Sequence, residues 1–200
     1  MTQLRVRPEG PADVAAIRVV LTEAFASTPA TAAPATSAPA TSAPDAPASD
    51  APDAGPPVEV GLVDALREGP AWLAELSMVA EVDEVVVAYA LLTRVTVGDA
   101  GAPALALGPV AVRPAHQGLG YGTATVQAGL DAAAELGERL VLVLGDPAYY
   151  GRFGFEPAEA YGLTSLWSGP HYQALVIPGT NGGGPVPGGE VRYPPPWHDL

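Results

Sequence analysis

The chain has 200 residues and a formal net charge of −13 at pH 7, and all 9 of its basic residues are arginines. This length allows one domain with a sizeable core, whereas the acidic balance argues against a general nucleic-acid-binding protein and against adhesion to anionic membranes. The absence of cysteine excludes disulfides, a cysteine nucleophile and thiolate metal sites. Because no stretch has the pattern of a signal peptide or the ~20 apolar residues of a membrane span, we expect a cytoplasmic protein.

The first part of the chain predicts a strand, a helix and a long insertion. Hydrophobic alternation indicates a strand over Gln3 to Arg7, and apolar residues at helical spacing indicate an amphipathic helix over Pro11 to Ala26. Residues 27–57 are rich in Ala, Pro, Ser and Thr and offer no large apolar side chain for burial. This composition predicts a disordered insertion within the domain.

A helix and a β-hairpin are predicted next. Val58 to Glu68 has a helical pattern and is followed by a Gly-Pro pair that ends it. Leu73 to Val82 and Val85 to Val97 are rich in β-prone residues, and the pair Asp83-Glu84 marks a tight turn between them. We therefore expect these two strands to pair antiparallel.

A strand–helix–strand unit follows the hairpin. Ala104 to Val112 is an apolar strand, and a helix with one apolar side extends from about Gly120 to Leu136. Arg139 to Leu144 is a continuous apolar run, which is typical of a strand inside a sheet covered on both faces. This order predicts a βαβ crossover between two parallel strands.

Less regular structure is expected after this unit. Asp146 is placed to cap a short helix over Pro147 to Arg152, because its carboxylate can accept a hydrogen bond from a first-turn N–H group. Tyr172 to Ile177 and Glu190 to Tyr193 are the candidates for the last strands. Residues 178–200 are rich in Gly and Pro, and we expect an irregular C-terminal segment there.

The turn between the core strand and the long helix carries Gly118, Gly120 and Gly122. A helix N-terminus presents free N–H groups and a positive dipole end, and glycines allow an anion to approach the backbone closely. A P-loop is excluded because it requires a lysine, and the dinucleotide-binding pattern fails because its last position would be Thr123 or Thr125. The sequence therefore predicts a phosphate site of another kind.

The segment Gln117 to Gly122 (QGLGYG) fits the pattern Gln/Arg-x-x-Gly-x-Gly/Ala. It resembles the acetyl-CoA pyrophosphate loop of the GNAT superfamily of N-acetyltransferases, and the run Leu144 to Phe155 (LGDPAYYGRFGF) resembles its bacterial branch of small, YhbS-like proteins. The resemblance implies an α/β fold with a mixed sheet, in which an antiparallel N-terminal hairpin joins a parallel βαβ core whose central strands splay apart. It also implies a single N-acetyltransferase domain over residues 1–200.

The same resemblance implies acetyl-CoA as cosubstrate, and no spacing of His, Asp and Glu residues suggests a metal site. In such folds the pantetheine arm lies between the splayed strands and pairs with the backbone of the first one, while the pyrophosphate takes N–H groups from the glycine loop. Two further side chains are candidates for contacts with CoA, although one of them, Asp146, is also the predicted helix cap. The implied cofactor-binding residues are Val110, Ala111, Val112, Gln117, Gly118, Leu119, Gly120, Tyr121, Gly122, Thr123, Asp146 and Arg152.

The resemblance also implies which groups handle protons. In GNATs a tyrosine four residues before a Gly-Phe pair often protonates the departing thiolate, which makes Tyr150 the first candidate and Tyr149 the second. Many GNATs place a glutamate on the core strand as general base, but this strand has none. Glu81 on the preceding hairpin is therefore the candidate, acting directly or through water.

These features together predict direct transfer of an acetyl group from acetyl-CoA to an amine of a small molecule or a protein, by a monomer or homodimer. The alternative is a catalytically weak acyl-CoA-binding sensor or interaction module on the same fold, which the missing strand glutamate favours slightly. No nucleic acid or membrane partner is expected. Trp72, Trp167 and Trp197 either line the acceptor side or serve as local core anchors.

Overall fold

The computed structural model describes residues 3–26, 55–178 and 186–199. Most of the predicted insertion 27–57, and residues 179–185 of the predicted irregular segment, lie outside this range. The helices are α1 Val14–Phe25, α2 Val58–Arg67, α3 Tyr121–Glu135 and α4 Pro147–Tyr150. The strands are β1 Leu4–Pro8, β2 Ser77–Val82, β3 Val85–Val97, β4 Ala102–Val112, β5 Leu140–Leu144, β6 Glu156–Pro157, β7 Leu163–Thr164, β8 Tyr172–Val176 and β9 Gly189–Arg192.

The N-terminal half of the sheet is antiparallel, in the order β1-β2-β3-β4. The predicted β2–β3 hairpin is confirmed, and both of its turn residues, Asp83 and Glu84, have positive φ angles of 48° and 68°. Two residues of positive φ are what a tight hairpin turn requires. The predicted strand over Leu73 to Val82 begins too early, because Ala74–Leu76 forms a 3-10 turn and β2 starts only at Ser77.

The parallel core is formed by β4 and β5, which flank α3 in sequence as predicted. Their pairing covers only Leu105–Leu107 of β4, opposite Val141–Val143 of β5. Strand β4 then continues to Val112 along β3, without β5 beside it. The two strands therefore part after Leu107, and this is the splayed pair that the resemblance implies.

Where β4 separates from β5, its pairing with β3 on the other side is also irregular. The register between β3 and β4 shifts between Ala90 and Leu92, opposite the segment that contains Gly108 and Pro109, whose peptide bond is cis. A Cβ at Gly108 would stand 3.0 Å from Cη2 of Trp197, so the absence of a side chain lets the indole approach the strand. The C-terminal part of the chain thus packs directly against the core strand.

Helices cover both faces of the sheet. The α1 and α2 side chains join one core cluster, which includes Ile17, Leu21 and Leu66, and α3 packs on the opposite face through Val126 and neighbouring residues. No helix in the described ranges is long and apolar enough to cross a membrane. The sheet is thus buried between two helical layers, which explains why its central strands are almost wholly apolar.

The two predicted late strands join the sheet at different places. Strand β8 pairs antiparallel with β5, and β9 pairs with β3, so both predicted late strands are confirmed to within one residue. A 3-10 turn over Pro195–Asp199 follows β9 and buries Trp197 against the core. Within residues 186–199 the predicted irregular segment therefore contains ordered structure.

Candidate active site

A cleft lies where β4 and β5 part. One wall consists of the two strands and a tyrosine of α4, and the opposite wall comes from α1, α2 and the C-terminal third of the chain. The first wall comprises Ala106, Leu107, Gly108, Pro109, Val110, Leu142, Val143, Leu144 and Tyr150. The opposite wall comprises Phe25, Glu59, Leu62, Trp167, Tyr193 and Trp197.

The glycine loop lies at the end of the same strand, between Val112 and α3. Gly118 and Gly120 have φ angles of +74° and +85°, which side chains rarely adopt, and no heavy atom lies within 4 Å of a Cβ built at either. Gly120 is the N-cap of α3, and no side chain caps the helix there. Among the described residues, no hydrogen bond uses the N–H groups from Gly118 to Thr123. The loop therefore offers free amides and open space to an anion.

The third glycine of the loop serves packing instead. A Cβ on Gly122 would stand 2.9 Å from Cγ2 of Val112 and 3.4 Å from the hydroxyl oxygen of Tyr149. The side chain of Gln117 donates a hydrogen bond of 3.2 Å to the carbonyl oxygen of Val112. These contacts hold the start of α3 against the end of β4, and they place Tyr149 beside the loop.

The remaining loop residues surround this turn. Leu119 is 62% exposed, whereas Tyr121 and Thr123 are half-buried. The ring of Tyr121 lies 6.2 Å from that of His116, whose Nδ1 is buried and has no hydrogen-bond partner within the described part of the chain. The predicted loop residues therefore form one continuous turn at the end of β4, beyond the point where β4 and β5 part.

Tyr150 lines the cleft and is only 7% exposed. Its ring packs edge-on against Phe155 at 5.8 Å, and a Cβ at Gly145 would stand 2.2 Å from its Cε2 atom. Gly145 therefore leaves the space that this ring needs. Burial, with a smaller effect from Tyr149, raises the pKa of Tyr150 above its ordinary value, so the hydroxyl keeps its proton at neutral pH.

Two predicted CoA contacts lie just before α4 and in the turn after it. The Asp146 carboxylate accepts a hydrogen bond of 2.9 Å from the N–H group of Ala148, so it caps α4 as the sequence predicts. The Arg152 guanidinium lies 4.4 Å from the centre of the Tyr149 ring and donates to the carbonyl oxygen of that residue. Arg152 takes part in no ion pair found among the described residues, and it is exposed next to the loop-side tyrosine.

Glu81 is not brought to the cleft. Its carboxylate accepts a hydrogen bond of 2.8 Å from Arg7, which also binds Asp13. The residue lies on β2, two strands away from β4, and it does not line the cleft. The geometry thus gives Glu81 an ion pair rather than access to the space between the parted strands.

The carboxylate that does line the cleft is Glu59, in the first turn of α2. Burial raises the pKa of this carboxyl group, and its own backbone N–H group opposes part of that effect. Sequence reasoning missed this residue, because an acid in the first turn of a helix is the ordinary partner of the helix dipole. Glu59 differs from an ordinary first-turn acid only because α2 places it at the cleft.

The model of the acetyltransferase (GNAT) family matches residues 50–155, which is more than half of the chain. The chain belongs to this family. The match includes α2, the hairpin, the parted strands and the glycine loop, as well as α4 and Phe155. The GNAT resemblance of the loop and of the segment after β5 is therefore confirmed.

Two relatives of this GNAT chain are named N-acetyltransferases. It is 38% identical to YhbS of Escherichia coli K12 over 112 residues, 56% of this chain and 66% of that protein. It is 37% identical to YjhQ of the same organism over 101 residues, 50% of this chain and 56% of that protein. The aligned part thus spans less than two thirds of each relative's length.

Two solved GNAT structures resemble this chain over nearly its whole length. A Brucella melitensis acetyltransferase in complex with acetyl-CoA has a TM-score of 0.70 at 30% identity, covering 98% of each chain. E. coli YhbS in complex with CoA has a TM-score of 0.74 at 27% identity, covering 99% of this chain and 93% of that one. Both structures carry their ligand on the fold described above.

Proposed function

We propose that this GNAT protein transfers an acetyl group from acetyl-CoA to an amine. The observation that supports the proposal is the cleft between β4 and β5, with a loop of free amides at one end and a buried tyrosine on its wall. Complexes of related proteins with acetyl-CoA and CoA support the choice of cosubstrate. No group of three or more His, Cys, Asp or Glu in the described residues could hold a metal ion, so no metal enters the proposal.

The residues present fit acetyl-CoA at two places. The open space at the Cβ positions of Gly118 and Gly120, together with the unused N–H groups up to Thr123, suits the pyrophosphate. The edge of β4 over Val110 to Val112 faces no strand where β5 has turned away, so its backbone suits an extended pantetheine arm. Arg152 supplies a positive charge near the phosphates, while Asp146 acts by capping α4.

The transfer follows from this arrangement. The amine nitrogen attacks the thioester carbonyl carbon, and a backbone N–H group near Val110 stabilises the oxyanion that forms. The bond from carbon to sulfur then breaks, and Tyr150 gives its proton to the thiolate. Tyr150 suits this role because its buried hydroxyl remains protonated at neutral pH, whereas Tyr149 lies beside the glycine loop.

The test compares Tyr150→Phe with Tyr149→Phe. The first change removes the hydroxyl but keeps the ring that packs on Phe155, so kcat should fall by about 10²-fold, the lower range for general acid catalysis, with unchanged affinity for acetyl-CoA. Tyr149→Phe should leave kcat within about threefold of the wild-type value. Thiol release measures turnover, and calorimetry measures binding of acetyl-CoA.

The outcomes separate the candidate functions. Equal losses of turnover and affinity in Tyr150→Phe would show that Tyr150 only packs against the cosubstrate. A wild-type protein that binds acetyl-CoA but releases no thiol with any amine would instead be the acyl-CoA-binding module.

A further inference from the structure

The wall of the cleft that faces the parted strands is aromatic. The rings of Trp167 and Tyr193 lie 4.7 Å apart, those of Tyr193 and Trp197 lie 5.4 Å apart, and Phe25 and Leu62 extend the same surface. These side chains come from four separate parts of the chain, and all of them line the cleft. A ligand on this side therefore contacts a mostly apolar surface that offers ring faces.

Among the residues that the structure describes, Glu59 is the only charged one that lines the cleft. It is half-buried, and it takes part in none of the ion pairs found in the same part of the chain. No arginine or histidine of the described ranges lines the cleft, and the other ionisable groups of its described lining are the hydroxyls of Tyr150 and Tyr193. Burial raises the pKa of both tyrosines, so both are neutral near pH 7.

We propose that Glu59 binds the protonated amine of the acceptor and then removes its proton, and that the acceptor is a small cationic amine on an uncharged, apolar body. This inference rests on the acetyltransferase function proposed above and adds the acceptor class and the general base. An ammonium group suits this part of the cleft for two reasons. It gives the half-buried Glu59 carboxylate a counter-charge, and aromatic rings attract cations.

The same wall disfavours other acceptors. A free amino acid would bring its own carboxylate next to Glu59, in a cleft whose described lining has no positive side chain to pair with it. A strongly polar body would lose hydrogen bonds to water against the aromatic and aliphatic surface. The cleft is also shared with the end of the cosubstrate, so we expect the acceptor to be a small molecule.

The protons balance in this scheme. The ammonium gives one proton to the Glu59 carboxylate, and the free amine attacks the thioester carbonyl carbon. The bond from carbon to sulfur breaks as Tyr150 protonates the thiolate. The nitrogen then carries one proton more than a neutral amide, and it gives that proton to the Tyr150 phenolate. Glu59 releases its proton to water, so the products are an amide, CoA thiol and one proton.

The test uses three probes that share one phenyl ring: 2-phenylethylamine, 2-phenylethanol and phenylalanine. They are compared on the wild type, on Glu59→Gln and on Glu68→Gln. Glu68 is an exposed acid at the other end of α2, which makes it a matched control. Calorimetry on the protein–CoA complex measures probe binding, and thiol release measures turnover.

The wild type should bind 2-phenylethylamine at least about tenfold more tightly than either 2-phenylethanol or phenylalanine. Glu59→Gln should remove the preference for the amine over the alcohol and lower kcat by about 10²-fold, as for loss of a general base. Its affinity for acetyl-CoA should not change, and its melting temperature should not fall, because burial already disfavours the charged form of Glu59. Glu68→Gln should behave as the wild type does.

Two results would overturn the inference. An amine preference that survives in Glu59→Gln would exclude Glu59 as the ammonium partner, and equal use of phenylalanine would exclude the acceptor class. Both results leave acetyl transfer intact. Failure of the wild type to bind acetyl-CoA would instead overturn the proposed function. If the protein binds acetyl-CoA but releases no thiol, the calorimetric comparison of the three probes still tests Glu59.

Discussion

The two sides of the cleft are built in different ways. The side proposed for CoA consists of backbone groups on one short stretch, from Gly108 to Thr123, in which glycines leave amides and space exposed. The side proposed for the acceptor consists of side chains from α1, α2, the loop after β7 and the C-terminal turn. One side is thus continuous in sequence, whereas the other exists only in the folded chain.

This difference explains what each side can recognise. Backbone amides around a turn suit an anion of fixed shape, such as a pyrophosphate, and they tolerate many side chains nearby. A wall of side chains can change its ligand through single substitutions. We therefore expect variants of the loop to affect acetyl-CoA and variants of the aromatic wall to affect the acceptor.

The largest effect is expected at Gly120. Gly120→Val places a branched side chain in the open space of the loop, and affinity for acetyl-CoA measured by calorimetry should fall by at least about 10²-fold, since the free amides become shielded. Gly137→Val is the matched control, because Gly137 has a φ angle of +80° and equally open surroundings but lies after α3. Both variants should lose stability alike, by about 1–2 kcal/mol of left-handed strain.

A Gly120→Val protein that binds acetyl-CoA as tightly as Gly137→Val does would remove the pyrophosphate from this loop. It would also remove the main distinction between the two sides of the cleft.

A smaller effect is expected at Gly145, which has no side chain and so leaves space for the ring of Tyr150. A methyl group there overlaps the tyrosine ring, so Gly145→Ala should displace the hydroxyl and lower kcat by roughly tenfold, with a stability loss of about 1–3 kcal/mol from overpacking. Gly151→Ala is the control, since no atom lies within 4 Å of its Cβ position. Unchanged thiol release in a folded Gly145→Ala protein would argue against a precise position for Tyr150.

The smallest effect is expected at Trp197 on the aromatic wall. Trp197→Phe keeps a ring but leaves a gap beside Gly108 and removes the hydrogen bond from the indole to Thr93. KM for the acceptor should rise several-fold while affinity for acetyl-CoA stays the same, at a stability loss below about 3 kcal/mol. Trp72→Phe is the comparison, because Trp72 packs under Arg67 outside the cleft and should leave KM unchanged. A parallel loss of CoA affinity in Trp197→Phe would mean that the two sides are not separable.

The order of the elements was predictable because each carries a strong local pattern. The apolar runs of β3, β4 and β5, the helical spacing of α3 and the glycine turn all depend on neighbours in sequence. The start of β2 was predicted wrongly, because the pattern does not distinguish a strand from the 3-10 turn over Ala74–Leu76. The position of Tyr150 in the cleft was anticipated by family resemblance, but the supporting role of Gly145 was not.

The candidate general base shows where sequence reasoning stops. The sequence suggested Glu81 and not Glu59, but Arg7 binds the Glu81 carboxylate, whereas α2 holds Glu59 at the cleft. Likewise, Trp167 and Trp197 line the cleft and Trp72 does not. No spacing rule separates these cases, because each depends on how distant elements pack.

The sequence by itself determined the family, the strand–turn–helix unit and the glycine loop, since backbone conformation and hydrophobic periodicity act over a few residues. The tertiary structure alone decided which carboxylate and which aromatic rings face the space between β4 and β5. The physical reason is that this space forms only when two parallel strands separate, and its outer wall is supplied by segments more than one hundred residues apart in the chain, such as Phe25 and Trp197.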